Sequence, residues 1–232
     1  MDISRIREDL PAAKHNWVYL DNAAGSIPPI QTIQAINTYF MDLARTGPIS
    51  KVFYEDTLRR VSDAKQTLAA LLGAEDAEEI AFTMNGSEAL NIALNGIDWK
   101  DGDEVITTSL ELTSGFIPLL RLGSTKRISV KIGGHDLNGI VRADTIEALL
   151  TARTRLIALI HVSNSVGTIQ PVEEVGRLAQ AHGIMFLVNA SQSVGQMPVN
   201  VQELNCDLLA APCRKWMRGP QGLGFLYCRS EH

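Results

Sequence analysis

The sequence predicts an α/β fold, a mainly parallel mixed sheet with helices on both faces. From residue 79 onward, short apolar runs alternate with longer stretches of helical period, and this alternation is the pattern of strand–helix–strand units. Runs such as Leu208-Leu209-Ala210-Ala211 are short, continuously apolar and bounded by turn formers, which suits strands buried on both faces. The 232 residues, 45% of them hydrophobic, are enough for one sizeable core, so a single domain over 1–232 is expected.

In order along the chain, residues 1–17 read as an arm with a short helical stretch, followed by a small extended segment at 18–20. Ala23-Ala24-Gly25-Ser26 turns into Pro28-Pro29 and predicts a helix over 29–44, since proline is tolerated in a first turn. After a break at Thr46-Gly47-Pro48, residues 52–72 carry apolar side chains at helical spacing and stop at Gly73. Strands are then expected at 80–82, 104–108, 127–132, 156–162, 184–188, 208–211 and 223–228. Helices are expected at 87–97, 114–122, 143–150 and 172–182. No repeat, low-complexity segment or linker interrupts them.

Composition excludes several classes of function. The net charge of −5 comes from charges that alternate in sign without long runs, so no nucleic-acid footprint is present. No apolar run approaches the roughly 18 residues of a membrane span, and the start MDISRIREDL has no signal-peptide core. A soluble, cytoplasmic protein without membrane contact is expected. Cys206, Cys213 and Cys228 are odd in number and have no CxxC spacing, so neither a disulfide framework nor a metal site is expected.

Two stretches suggest chemistry. Lys215 falls in the loop between the last two strands, with Arg214 and Arg218 close by. It reads either as a solvated charge or as an amine whose pKa falls among apolar and cationic neighbours, suited to Schiff-base chemistry. Asn85-Gly86-Ser87 lies between a strand and the start of a helix, where free N–H groups and the helix dipole favour a phosphate. There Ser87 reads equally as a helix cap.

Four segments in order make these readings specific. They are Val18-Tyr19-Leu20-Asp21-Asn22-Ala23-Ala24, Gly86-Ser87-Glu88-Ala89-Leu90-Asn91, His161-Val162-Ser163-Asn164 through Gly167-Thr168, and Arg214-Lys215-Trp216 through Arg218-Gly219-Pro220, Gly222 and Gly224-Phe225-Leu226-Tyr227. Together the chain resembles the class V aminotransferases, pyridoxal 5'-phosphate (PLP) enzymes of fold type I that include cysteine desulfurases, selenocysteine lyases and carbon–sulfur lyases. The resemblance implies the large domain of that fold, with PLP as cofactor and Lys215 as its Schiff-base lysine and acid/base. It further implies Gly86 and Ser87 at the phosphate, and Asn164 and Gln192 near the ring oxygen. A small amino-acid substrate, cysteine or a cysteine conjugate, is implied, along with a homodimer and an unidentified sulfur-accepting protein.

The pattern also departs from the family in four respects. Asn189 stands where the family has the aspartate that pairs with the ring nitrogen. Losing that charge-assisted bond is expected to cost about 1.5 to 3 kcal/mol of carbanion stabilisation. Leu112, in Ser109-Leu110-Glu111-Leu112-Thr113-Ser114, stands where an aromatic or histidine covers the ring, and leucine can cover a face but cannot transfer a proton. Pro212-Cys213-Arg214-Lys215 replaces Ser-x-His-Lys, leaving Arg214 as the phosphate clamp in place of histidine. Finally, the family's C-terminal domain, with its substrate-carboxylate arginine and persulfide cysteine, has no counterpart in these residues. A non-catalytic homologue that keeps the fold and a binding role is therefore the alternative reading.

Overall fold

The structure is a computed structural model and describes residues 2–15 and 18–232. The arm expected at 1–17 therefore lies partly outside the described residues, at Met1, Asn16 and Trp17. Within it, helix α1 (Ile3–Glu8) is capped by Asp2, whose carboxylate accepts from the N–H groups of Ser4 and Arg5. Residues 18–20 join no sheet, and Val18 and Leu20 are exposed.

Two long helices follow, α2 (Ile30–Thr46) and α3 (Lys51–Leu72). Gly73 ends α3 in the left-handed conformation, with φ 66°, and its N–H returns to the Ala69 and Ala70 carbonyls. The remainder alternates as expected: β1 (Ile80–Thr83), α4 (Gly86–Gly96), β2 (Glu104–Thr108), α5 (Thr113–Lys126) and β3 (Ser129–Gly133), then α6 (Ala143–Glu147), β4 (Thr154–Ile160), α7 (Val172–Ala181), β5 (Met185–Asn189), β6 (Leu208–Pro212) and β7 (Gly224–Cys228).

Several boundaries move. Helix α5 runs four residues past the expected end at 122, because Gly123 and Ser124 are carried within it. It stops where Arg127 turns left-handed, at φ 55°, and this delays β3 to Ser129. Helix α6 ends at Glu147 rather than 150. Strand β4 ends at Ile160, and Val162 keeps only an isolated bridge to Ile169.

The seven strands form one sheet in the order β1-β7-β6-β5-β4-β2-β3. Only β7 is reversed, pairing antiparallel with both β1 and β6, while the other pairs are parallel. Each strand feeds alternate residues to two cores. Leu156, Ala158, Leu187, Leu208, Ala210 and Leu226 pack with α4 and α5 on one face. Ile157, Leu159, Phe186, Val188, Leu209 and Tyr227 pack with α3, α6 and α7 on the other. Burial on both faces explains why the strands read as continuous apolar runs. Among the described residues, no helix is long and apolar enough to cross a membrane.

Candidate active site

Because β7 alone is reversed, β1, β2, β4, β5 and β6 all finish at the same edge of the sheet. Open sheets of this kind bind ligands beyond the carboxyl ends of their strands. Every residue selected from the sequence follows one of those ends.

After β1 the chain turns directly into α4. Asn85 caps the helix by accepting the Glu88 N–H at 2.9 Å, and the Glu88 carboxylate accepts the Met84 N–H in return. A Cβ on Gly86 would lie 2.9 Å from Cδ of Pro212, so only glycine lets α4 begin against the end of β6. None of the described hydrogen bonds uses the N–H groups of Gly86 and Ser87. Ser87 itself is exposed in the first turn.

After β6, the Cys213 N–H donates to the Leu223 carbonyl, while the Gly219 and Arg218 N–H groups donate to the carbonyls of Cys213 and Lys215. This closed loop holds Lys215 at 6% exposure. No described carboxylate forms an ion pair with it. Burial, and secondarily the Arg214 charge, pull the Lys215 amine down to about 8. Arg214 turns toward the N-terminal segment: its guanidinium donates to the Ala24 carbonyl, and its own carbonyl accepts the Ser26 N–H at 2.9 Å. Gln192 ties the same segment to the loop, donating to the Ala23 carbonyl at 3.0 Å and accepting from Trp216 Nε1 at 2.8 Å.

An open cleft of about 320 Å³ lies beside these contacts, lined in part by Ala23, Ser163, Asn164, Gln192, Met197 and Trp216. It brings Asn164 and Gln192 together, whereas Lys215, Gly86 and Leu112 stand outside its lining. Asn164 is exposed on a turn whose Ser163 Oγ accepts the N–H groups of Ser165 and Val166. His161, just before it, is buried, and burial lowers it to about 4, so it stays neutral at ordinary pH. A cleft of about 370 Å³ opens at the opposite edge, near Ile92, Arg155, Met185 and His232. It lies at the starts of the strands, away from the amine.

Asn189 ends β5 at 2% exposure with both ends of its amide engaged. Its Nδ2 donates to Glu111 Oε1 at 2.6 Å, and its Oδ1 accepts from the Ser191 N–H at 3.2 Å and Ser191 Oγ at 2.6 Å. Glu111 Oε1 also accepts the Leu112 N–H at 3.0 Å. The Glu111 carboxyl faces a small cavity among Leu90, Leu94, Leu119, Leu159 and Leu187, and burial raises it to about 7 against the two hydrogen bonds. Gly115 makes the room: a Cβ there would sit 2.7 Å from Glu111 Oε1. In the sequence, Glu111 served only as the landmark for Leu112. Its sole hint is a glycine four residues on, because a half-buried acid is recognised by partners that lie far along the chain. Leu112 begins α5, half-buried against the core.

The family model Aminotransferase class-V matches residues 18–232. A "probable cysteine desulfurase" of Methanothermobacter thermautotrophicus is 36% identical over 227 residues, covering 97% of this chain and 56% of that protein. The apo structure of a cysteine desulfurase from Thermococcus onnurineus NA1 superposes with a TM-score of 0.91 at 32% identity, over 100% of this chain and 58% of that one. A C-DES variant with glycine covalently linked to the PLP cofactor superposes with a TM-score of 0.91 at 26% identity, over 97% and 60%. The chain thus spans little more than half the length of the curated relatives it matches.

Proposed function

Since the chain belongs to the class V aminotransferase family, whose enzymes depend on PLP, we propose that it binds PLP at the carboxyl edge of its sheet. On this reading it removes sulfur from cysteine or a cysteine conjugate, as a desulfurase or carbon–sulfur lyase. The observation that carries the reading is Lys215, a buried amine with no carboxylate partner among the described residues, drawn down to about 8. A lysine in that state has about a quarter of its population neutral at pH 7.5, against about one part in a thousand at its ordinary value.

PLP, when bound, supplies an aldehyde and an electron sink. Lys215 is the side chain that carries the cofactor covalently. The Lys215 amine would also be the group that moves a proton at the substrate's α-carbon, and a pKa near the working pH suits that role. The open N–H groups of Gly86 and Ser87, at the positive end of α4, fit the phosphate, with Arg214 as its clamp. Asn164 and Gln192 would meet the ring oxygen, Leu112 would cover one ring face, and Asn189 would stand at the ring nitrogen. Leu112 can neither donate nor accept a proton, so proton transfer at the substrate falls to Lys215.

The proposal includes a single large domain in the cytoplasm that works as a homodimer. Helix α2 buries none of its 17 residues, and Tyr39, Phe40 and Met41 on it are exposed alongside Val52 and Leu58 of α3. Apolar surface of that extent calls for a partner. The test is incubation of the protein with PLP and cysteine. Release of sulfide with pyruvate and ammonia, or of alanine with sulfur that an added thiol reductant frees as sulfide, is expected, and no turnover across a panel of sulfur amino acids overturns the activity. A non-catalytic homologue is favoured by the coincidence of Asn189 and Leu112. In Asn189→Asp combined with Leu112→His, a large gain in PLP affinity means a working but weakened pocket, and no gain over a wild-type protein that itself binds no PLP favours the non-catalytic reading.

A further inference from the structure

Asn189 is held between two groups that dictate its orientation. The Ser191 N–H can only donate, so the side-chain atom that meets it must be the acceptor Oδ1. The Glu111 carboxylate can only accept, so Nδ2 must face it, as it does at 2.6 Å. An amide flip breaks both bonds at once. A ligand that reaches the acceptor side of Asn189 therefore meets its oxygen, and the Ser191 hydroxyl, which can rotate away, is the group such a ligand replaces.

Glu111 is itself fixed by independent features. The Leu112 N–H holds its Oε1 from one side, and the absence of a side chain at Gly115 admits the carboxyl. Apolar side chains around the cavity give it no cation, so its charge is met by the Leu112 N–H and the Asn189 amide, of which the amide is the side chain that follows β5.

Resting on the proposed PLP site, we infer that Glu111 is a positioning residue: it locks Asn189 as a hydrogen-bond acceptor and, in its ionised form, supplies from behind the amide the negative charge that favours a protonated ring nitrogen. The amide then transmits the carboxylate's effect without touching the ring as a charge. This reverses the expectation that Asn189 leaves the ring nitrogen without a counter-charge. Glu111 would thereby set the strength of the electron sink from outside the contact shell.

The experiment reads the ring nitrogen directly, by 15N NMR of the protein loaded with 15N-labelled PLP, alongside PLP affinity by fluorescence titration. The wild-type protein gives the protonated shift. Glu111→Gln moves it toward the unprotonated value and weakens affinity about tenfold, and adding Asn189→Asp restores both to within about threefold, because a carboxylate at 189 brings its own charge. Gly115→Ala serves as the second variant: it keeps the acid but displaces it, and the same loss is expected. An unchanged 15N shift in both Glu111→Gln and Gly115→Ala overturns the inference, as does a loss that Asn189→Asp fails to rescue. If wild-type protein binds no PLP, the proposed function falls first and the ring-nitrogen role with it. If PLP binds normally and only the shift fails to respond, the site stands and Glu111 has no such role.

Discussion

Glu104 and Glu111 stand at opposite ends of the same strand, seven residues apart, and differ in almost everything but their chemistry. Glu104, at the start of β2, accepts from Lys131 Nζ at 2.6 Å, Arg153 at 3.0 Å and the Thr151 hydroxyl at 2.6 Å. Those hydrogen bonds outweigh its burial and hold it at about 2. Glu111, just past the other end, has one amide and one backbone N–H, and burial raises it to about 7. The lysines divide in the same way. Lys131 is paired with Glu104, whereas Lys215 has no described carboxylate partner and is drawn down to about 8. One edge of the sheet neutralises its charges for stability, and the other keeps titratable groups uncompensated, the condition in which they can do chemistry.

The largest break in this contrast comes from Lys215→Ala. Covalent attachment of PLP should vanish and any turnover should fall at least a thousandfold, measured by absorbance and sulfide release. The variant should nevertheless be more stable. A lysine whose folded pKa lies below its unfolded value binds fewer protons when folded, so wild-type stability rises with pH between about 8 and 10.5. Calorimetry should find the variant ahead by up to about 3 kcal/mol at pH 7, with the gap closing toward pH 10.5.

Glu104→Ala should do the opposite, costing about 1 to 3 kcal/mol because Lys131 loses its partner. Arg153 is exposed, so its share of that loss is small. Covalent PLP attachment should survive. Since the folded pKa of Glu104 is depressed, its contribution is present above about 4.5 and lost as pH falls toward 2. Urea titrations at pH 7 and pH 3 should differ less in the variant than in the wild type.

Glu111 carries the reverse sign. With a folded pKa above the unfolded one, its contribution is present below about 4.5 and is lost as pH rises through 7. Glu111→Gln should flatten that window, by at most about 3 kcal/mol, in melts at pH 5 and pH 7.5. Gly86→Ala acts by packing rather than charge. Its Cβ would press on the rigid Pro212 ring at 2.9 Å, costing about 1 to 3 kcal/mol and weakening PLP binding at the start of α4, readable in one thermal-shift titration.

The strand–helix alternation was legible because strands buried on both faces are continuously apolar, and the carboxyl edge followed once the sheet was mainly parallel. Lys215 could be located from the loop between two apolar runs, and Gly86-Ser87 from the strand-to-helix turn. Helix α5 outruns the expected 114–122, because Gly123 and Ser124 are carried within the helix, which continues to Lys126. Glu111 stayed hidden for a different reason. Its partner Asn189 is 78 residues away, and no local pattern shows that a neutral amide and a distant acid share one hydrogen bond. Nor does the sequence reveal that Gln192 and Arg214 are engaged with the carbonyls of Ala23 and Ala24.

The claim that the carboxyl edge holds the chemistry is tested most directly by borohydride reduction of the protein mixed with PLP, followed by peptide mass spectrometry. The account predicts a single cofactor adduct on Lys215, absent from Lys215→Ala, with Lys131 unlabelled. Adducts spread over surface lysines, or none at all, would contradict it.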